Sequence, residues 1–154
     1  MLSKEAKKKH NEKFWKSLKR EMRSINSSNG RSINWLNYPS DVKDIYIRLE
    51  ADSKGAKLCF DIQPKDDGIR SILWEQMNEL KSVMESKIGP ANGWNEFNHY
   101  IGDRAVSRIF WEMKNINYLK EEDQTSFNNF FKEKLLLFDE FYQEFKEILI
   151  LLTQ

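Results

Sequence analysis

The sequence predicts an α+β fold in one domain, residues 1–154. It comprises a mainly antiparallel sheet of about five strands with three long helices, in the order α-β-β-β-α-β-β-α. Three observations carry this. Two alternating runs flank the turn-forming tetrapeptide Asp52-Ser-Lys-Gly55. Apolar residues recur at helical spacing near both ends of the chain. The chain of 154 residues is 13% aromatic, with 6 Gly and 3 Pro, which fits one well-filled core and excludes a disordered or collagen-like chain.

The first helix is expected over 3–28. Ser3 suits its N-cap and Ser27-Ser-Asn-Gly30 its stop. Phe14, Trp15, Leu18, Met22 and Ile25 share one side, and Lys9, Lys13, Lys16, Arg20 and Arg23 the other. The turns before Phe14 carry no apolar stripe and are expected to project or fray.

Strands and a hairpin are expected over 33–63. Ile33 to Tyr38 is short and aromatic, is ended by Pro39, and reads as a strand. In the next run Ile45, Ile47, Leu49 and Ala51 point one way, and Asp44, Tyr46, Arg48 and Glu50 the other. In the run after the turn Ala56, Leu58, Phe60 and Ile62 point inward, and Lys57, Cys59, Asp61 and Gln63 outward. Closing the hairpin with Ala51 opposite Ala56 sets Glu50 against Lys57, Arg48 against Cys59, Tyr46 against Asp61 and Asp44 against Gln63. Arg48 then reaches Asp61 diagonally.

A single helix is expected over 67–88, opened by Asp66-Asp67-Gly68 with acids at the positive end of the dipole and stopped by Gly89-Pro90. Its stripe is Ile69, Ile72, Leu73, Leu80, Val83, Met84 and Ile88, with Trp74 off it. Two more strands are expected over 94–113. In the second, Val106 and Trp111 break parity, which requires either two covered faces or a bulge. The last helix is expected over 123–152, roughly 42 Å long at 1.5 Å per residue. It carries two stripes, one from Phe127 to Leu152 and one through Phe130, Leu137, Phe141, Ile148 and Leu151. Two stripes need two neighbours: the sheet, and either the first helix or a second copy of the chain.

Charge is uneven within a net of +1. Residues 1–31 hold ten bases and three acids, a net of +7; residues 112–154 hold five bases and nine acids, a net of −4. Such asymmetry fits a nucleic-acid or acidic partner, or equally two terminal helices lying together. The lone Cys59 excludes an internal disulfide and fits a reducing, cytoplasmic setting. The chain has no apolar run of ~18 residues to span a membrane. The N-terminus has no apolar segment of a secretory signal. His10 and His99 have no ligand partners at zinc spacing. The sequence holds no Gly-rich phosphate loop and no G-x-S-x-G. No cofactor and no metal is expected.

The outward hairpin face is the first candidate site. Its plain reading is a set of cross-strand ion pairs on a wet sheet face. Its sharper reading is a metal-dependent nuclease, because restriction-endonuclease-like folds share the order helix, three strands, helix, strand. Asp44 and Asp61 would then hold Mg²⁺. Gln63 stands where such sites carry Lys, so the motif is incomplete. Cys59 reads as a structural thiol, beside an Arg48 that would lower its pKa. The basic helix, through Lys13, Lys16, Arg20 and Arg23, is the second candidate, although no aromatic residue interleaves its basic side. Trp74 is the third, expected to be partly exposed and to touch a partner.

The runs Ile33-Asn-Trp-Leu-Asn-Tyr38, Ile45-Tyr-Ile-Arg-Leu-Glu-Ala-Asp52, Ser107-Arg-Ile-Phe-Trp-Glu-Met-Lys-Asn-Ile-Asn117 and Leu137-Phe-Asp-Glu-Phe-Tyr142 resemble a bacterial family of domains of unknown function. Its members stand alone or form the C-terminal part of longer chains, some with an endonuclease-like module in front. The resemblance covers Phe14 to Ile148 and implies a free-standing copy here. It supplies no activity and no catalytic residue. It favours a DNA-related role and places any nuclease chemistry in the other module.

Three readings follow. The favoured one is a small cytoplasmic binding or accessory domain, not an enzyme, tied to nucleic-acid processing or defence. It would bind a protein partner, itself as a homodimer through the last helix, or nucleic acid, with Tyr46, Arg48, Asp61 and Trp74 at the contact. The alternatives are the divergent nuclease and a purely structural homo-oligomer.

Overall fold

The computed structural model describes residues 3–154; the first two residues of the expected domain span lie outside the described residues. Helix α1 is Lys4–Met22, β1 Ile45–Ala51, β2 Gly55–Ile62, α2 Asp67–Glu79, α3 Lys81–Ile88, β3 Gly93–Ile101, β4 Arg104–Lys114 and α4 Gln124–Leu152. The expected α+β class stands. Among the described residues there are four strands and four α-helices, where about five strands and three helices were expected. The strands form one antiparallel sheet in the order β1-β2-β4-β3.

The hairpin has the expected register, with Ala51 opposite Ala56, Arg48 opposite Cys59 and Tyr46 opposite Asp61. The alternation of its apolar residues leaves only one register that buries them all. Gly55 opens β2 where a Cβ would lie 2.2 Å from the Met113 carbonyl oxygen, so β4 can come this close only to a glycine.

Residues 33–38 are not a strand. Trp35–Asn37 is a single 3₁₀ turn, and the Asn34 side chain accepts from Leu36 N. The aromatic residues face the helices instead of a neighbouring strand. Trp35 Nε1 donates to the Ile25 carbonyl at 2.8 Å, and Tyr38 Oη donates to Asp139 Oδ1 at 2.6 Å. Aromatic, β-prone residues were captured by tertiary contacts that a turn satisfies better.

The helix expected over 67–88 is broken at Leu80 (φ −89°, ψ −1°), whose N–H reaches the Gln76 and Met77 carbonyls. The buried side of α2 is Arg70, Leu73, Trp74 and Met77; Met84 and Ile88 continue it on α3. Ile69, Ile72 and Val83, expected in the stripe, are exposed. The rotation brings Arg70 Nη1 within 3.0 Å of Ser107 Oγ and the Trp74 ring against Trp94.

Helix α1 starts where its Ser3 cap predicts but stops at Met22, short of residue 28. Beyond it the chain is drawn onto α4, where Ser27 Oγ and Ser28 N both donate to Asp139 at 2.7 Å. The first turns are helical from Lys4 and mostly exposed, and His10 Nε2 bonds the Tyr118 carbonyl.

Strand β4 pairs with β2 without interruption from Gly55/Lys114 to Ile62/Ser107, so Val106 and Trp111 simply lie on opposite faces, both covered. The bulge falls in β3, between Asn95 and His99.

All the helices lie on one side of the sheet. Phe60 meets Phe138 and Tyr142 of α4 at 5.7 and 5.9 Å between ring centroids. α1 packs on α4 through Phe14–Phe127 and Trp15–Phe131. On another side of α4, Lys134 Nζ donates to the Ile88 carbonyl and Glu144 pairs with Lys87 of α3. Phe130 and Phe141 of the second stripe are thus buried within the chain, whereas Ile148, Leu151 and Leu152 at the end of α4 stay exposed. No helix of the described residues is long and apolar enough to cross a membrane.

Candidate functional site

The face of the sheet turned away from the helices carries the outward hairpin residues. It was expected to be wet. Its rim is, but its centre is dry, although no helix covers it. Asp61 and Cys59 are fully buried, and Gln63 and Arg108 nearly so. The cause is the neighbour strand. β4 places Arg108 opposite Asp61 and Phe110 opposite Cys59. Arg108 donates from Nε (2.7 Å) and Nη2 (2.9 Å) to the two oxygens of Asp61, and Arg48 Nη1 adds a third bond at 2.6 Å. A carboxylate can be dry only with such compensation.

The network extends outward. Arg48 Nη1 also donates to Gln63 Oε1 at 2.7 Å, Arg108 Nη2 lies 3.2 Å from Glu50, and Arg104 Nη1 lies 3.7 Å from Asp44. Lys57 Nζ sits 4.9 Å above the Phe110 ring. Burial disfavours the charge of Arg108, but the Asp61 bonds outweigh it and its pKa is raised.

This geometry bears on the nuclease alternative. Asp44, Asp61 and Gln63 do not converge on an open cleft. Asp61 is committed to two guanidinium groups, Gln63 to Arg48, and Asp44 faces Arg104. No group of three or more His, Cys, Asp or Glu among the described residues could hold a metal ion. Cys59 is the reverse of an activated thiol. Burial pushes its pKa up to about 12, against the lowering effect of Arg108, so the expected lowering by a neighbouring arginine does not win.

Trp74 does not project. It is 6% exposed and T-stacked on Trp94, 5.9 Å between centroids, because α2 turns this side to the sheet. It is therefore a buried packing residue and not the partly exposed contact expected.

The basic residues of α1 are where helical spacing puts them. Lys9, Lys13, Lys16, Lys19, Arg20 and Arg23 are all exposed, and Phe14, Leu18 and Met22 are buried on the other side. Among the described residues only Lys13 of these cations has an ion-pair partner, Glu121 at 3.7 Å, and both side chains are largely exposed. Three acids, Glu5, Glu12 and Glu21, are also exposed on this helix.

The structure then joins parts the sequence kept separate. Leu36, in the 3₁₀ turn, lies between α1 and β1. On one side a hollow of about 340 Å³ is lined by Glu12, Trp15, Lys16, Lys19 and Leu36. On the other, a hollow of about 420 Å³ is lined by Leu36, Tyr46, Arg48 and Glu50 among others. Lys16, Tyr46 and Arg48, expected on two unrelated surfaces, therefore flank one residue.

Sequence reasoning missed Arg108, Trp15 and Leu36 as parts of these surfaces. Arg108 had a signal in its parity within β4, but not the knowledge that β4 would pair with β2. Trp15 was assigned to the core stripe alone; it is only partly buried.

Residues 10–146 match the family described as a domain of unknown function, DUF4268. The chain belongs to that family. The match runs from within α1 to within α4, so it takes in both hollows and the Asp61 network of this DUF4268 domain, but not Lys4–Lys9. No curated protein and no solved structure matches the chain.

Proposed function

We propose that this DUF4268 domain is a non-catalytic binding module that contacts nucleic acid through the exposed face of α1. One observation carries the reading. Lys9, Lys13, Lys16, Lys19, Arg20 and the C-cap Arg23 stand exposed along one helix, six cations against the acids Glu5 and Glu12 on the same side. From Lys9 to Arg23 the row runs about 21 Å at 1.5 Å per residue. Phosphates are the natural partner of such a row, since each contact releases counterions. The carboxylates of the open sheet face are already bound to arginines, which favours binding over catalysis.

The test is a titration of labelled oligonucleotide at several salt concentrations. Affinity should fall steeply with salt, with a log–log slope of about −3 or steeper, as four or more phosphate contacts imply. The triple variant Lys13→Glu, Lys16→Glu, Arg20→Glu should weaken binding more than tenfold at low salt. Absence of binding at the lowest salt, or binding to anionic lipid vesicles with none to oligonucleotide, overturns the proposal.

A further inference from the structure

The middle of the α1 row lies beside an aromatic ring, Trp15. Resting on the nucleic-acid reading above, we infer that the ligand is single-stranded, with unstacked bases seated in the two hollows on either side of Leu36.

Each hollow pairs an aromatic ring with cations. The first holds Trp15 with Lys16 and Lys19; the second holds Tyr46 with Arg48. Single-strand binders combine these two elements, a ring for the face of a base and a positive charge for the adjoining phosphate. The rings are held in place before any ligand arrives. Trp15 packs on Phe14 and Phe131 at 4.9 and 5.6 Å between centroids, and its Nε1 donates to Asn11 Oδ1. Tyr46 lies 4.6 Å from the Arg48 guanidinium, and Arg48 is anchored by buried Asp61 and by Gln63. Such preorganisation reduces the ordering cost of binding. Tyr46 nevertheless remains 43% exposed, with Arg48 over its ring.

Each hollow also carries a carboxylate, Glu12 in the first and Glu50 in the second. Glu50 is drawn off by Arg108 at 3.2 Å, and Glu12 stands four residues before Lys16, the spacing of a helical ion pair. Glu12 offsets one of the two lysines of the first hollow and leaves it net positive, while Arg48 in the second keeps its guanidinium at the surface with Asp61 behind it. In a duplex the bases are stacked inward and phosphates alone face α1, so the hollows contribute only to single strands.

The experiment compares a labelled thymidine oligomer with a duplex of equal length, by fluorescence anisotropy at one salt concentration. The wild-type chain should bind the single strand more tightly. Tyr46→Leu should weaken single-strand binding about fivefold or more, the low end of base–aromatic stacking, and change duplex binding less than twofold. Trp15→Leu should do the same where circular dichroism shows it folded; Tyr46→Leu, on an exposed position, keeps the test decisive if it does not. Lys16→Ala with Lys19→Ala should weaken both ligands alike. Equal affinity for the two ligands, or unchanged single-strand affinity in Tyr46→Leu, overturns the inference and leaves the phosphate-binding reading standing. Failure of both ligands to bind removes both.

Discussion

Arg108 clasps Asp61 with both arms of its guanidinium, Nε at 2.7 Å and Nη2 at 2.9 Å, at the dry centre of a sheet face that no helix covers. The pair ties β2 to β4, and Arg48 ties it on to β1. Arg108→Ala removes two of the three arginine bonds to a buried carboxylate and should cost about 3 kcal/mol. Replacing both partners, Asp61→Leu with Arg108→Met, should cost much less than the single change. Urea unfolding of the two variants checks this, and a cost below about 1 kcal/mol for Arg108→Ala would show that the pair does not hold the sheet.

Asp139 does for the 23–40 segment what Asp61 does for the sheet. It is buried, and it accepts from Ser27 Oγ, Ser28 N and Tyr38 Oη at 2.6–2.7 Å. Asp139→Ala leaves these donors unpaired and should cost about 3 kcal/mol, the scale of charge-assisted bonds lost in a buried site. Limited proteolysis should then cut within residues 24–40 before the sheet. Protection equal to wild type would show that the aromatic packing of Trp35 and Tyr38 suffices.

Trp74 tests packing, not recognition. Trp74→Ala should lower stability by about 3–5 kcal/mol through the cavity left against Trp94. Trp74→Phe should cost less and leave oligonucleotide binding as it was. A selective loss of binding in a fully stable Trp74→Phe variant would return this residue to the contact surface.

Three buried groups make the fold sensitive to alkali. Burial pushes the Cys59 thiol up to about 12 and raises Tyr38 and Tyr142 above the ordinary tyrosine range. The sign follows from linkage. Below pH 9 both folded and unfolded chains hold these protons, and stability from this source is constant. Above it the unfolded chain releases them first, so stability falls as pH rises, for Cys59 between about 9 and 12. Urea midpoints at pH 8, 9.5 and 10.5 should fall in that order, and Cys59→Ala should flatten part of the slope. Equal midpoints, or fast labelling of native Cys59 at pH 8, would contradict this account.

The sequence by itself determined the elements whose pattern is local. The hairpin register followed from strict alternation and one turn, the start of α1 from its cap, and the length of α4 from uninterrupted helical spacing. Periodicity of 2 or 3.6 is written into neighbouring residues, so no distant contact is needed to read it. Tertiary structure decided the rest. Residues 33–38 form a turn because Ile25 and Asp139 claim Trp35 and Tyr38. The break at Leu80 and the rotation of α2 put Trp74 inside and Ile69 and Ile72 outside. The pairing of β2 with β4, distant in sequence, delivered Arg108 to Asp61 and dried a face that alternation alone marks as wet. The surface around Leu36 has the same origin: α1 and β1 meet there only after the chain has closed, and no spacing along the sequence records that meeting.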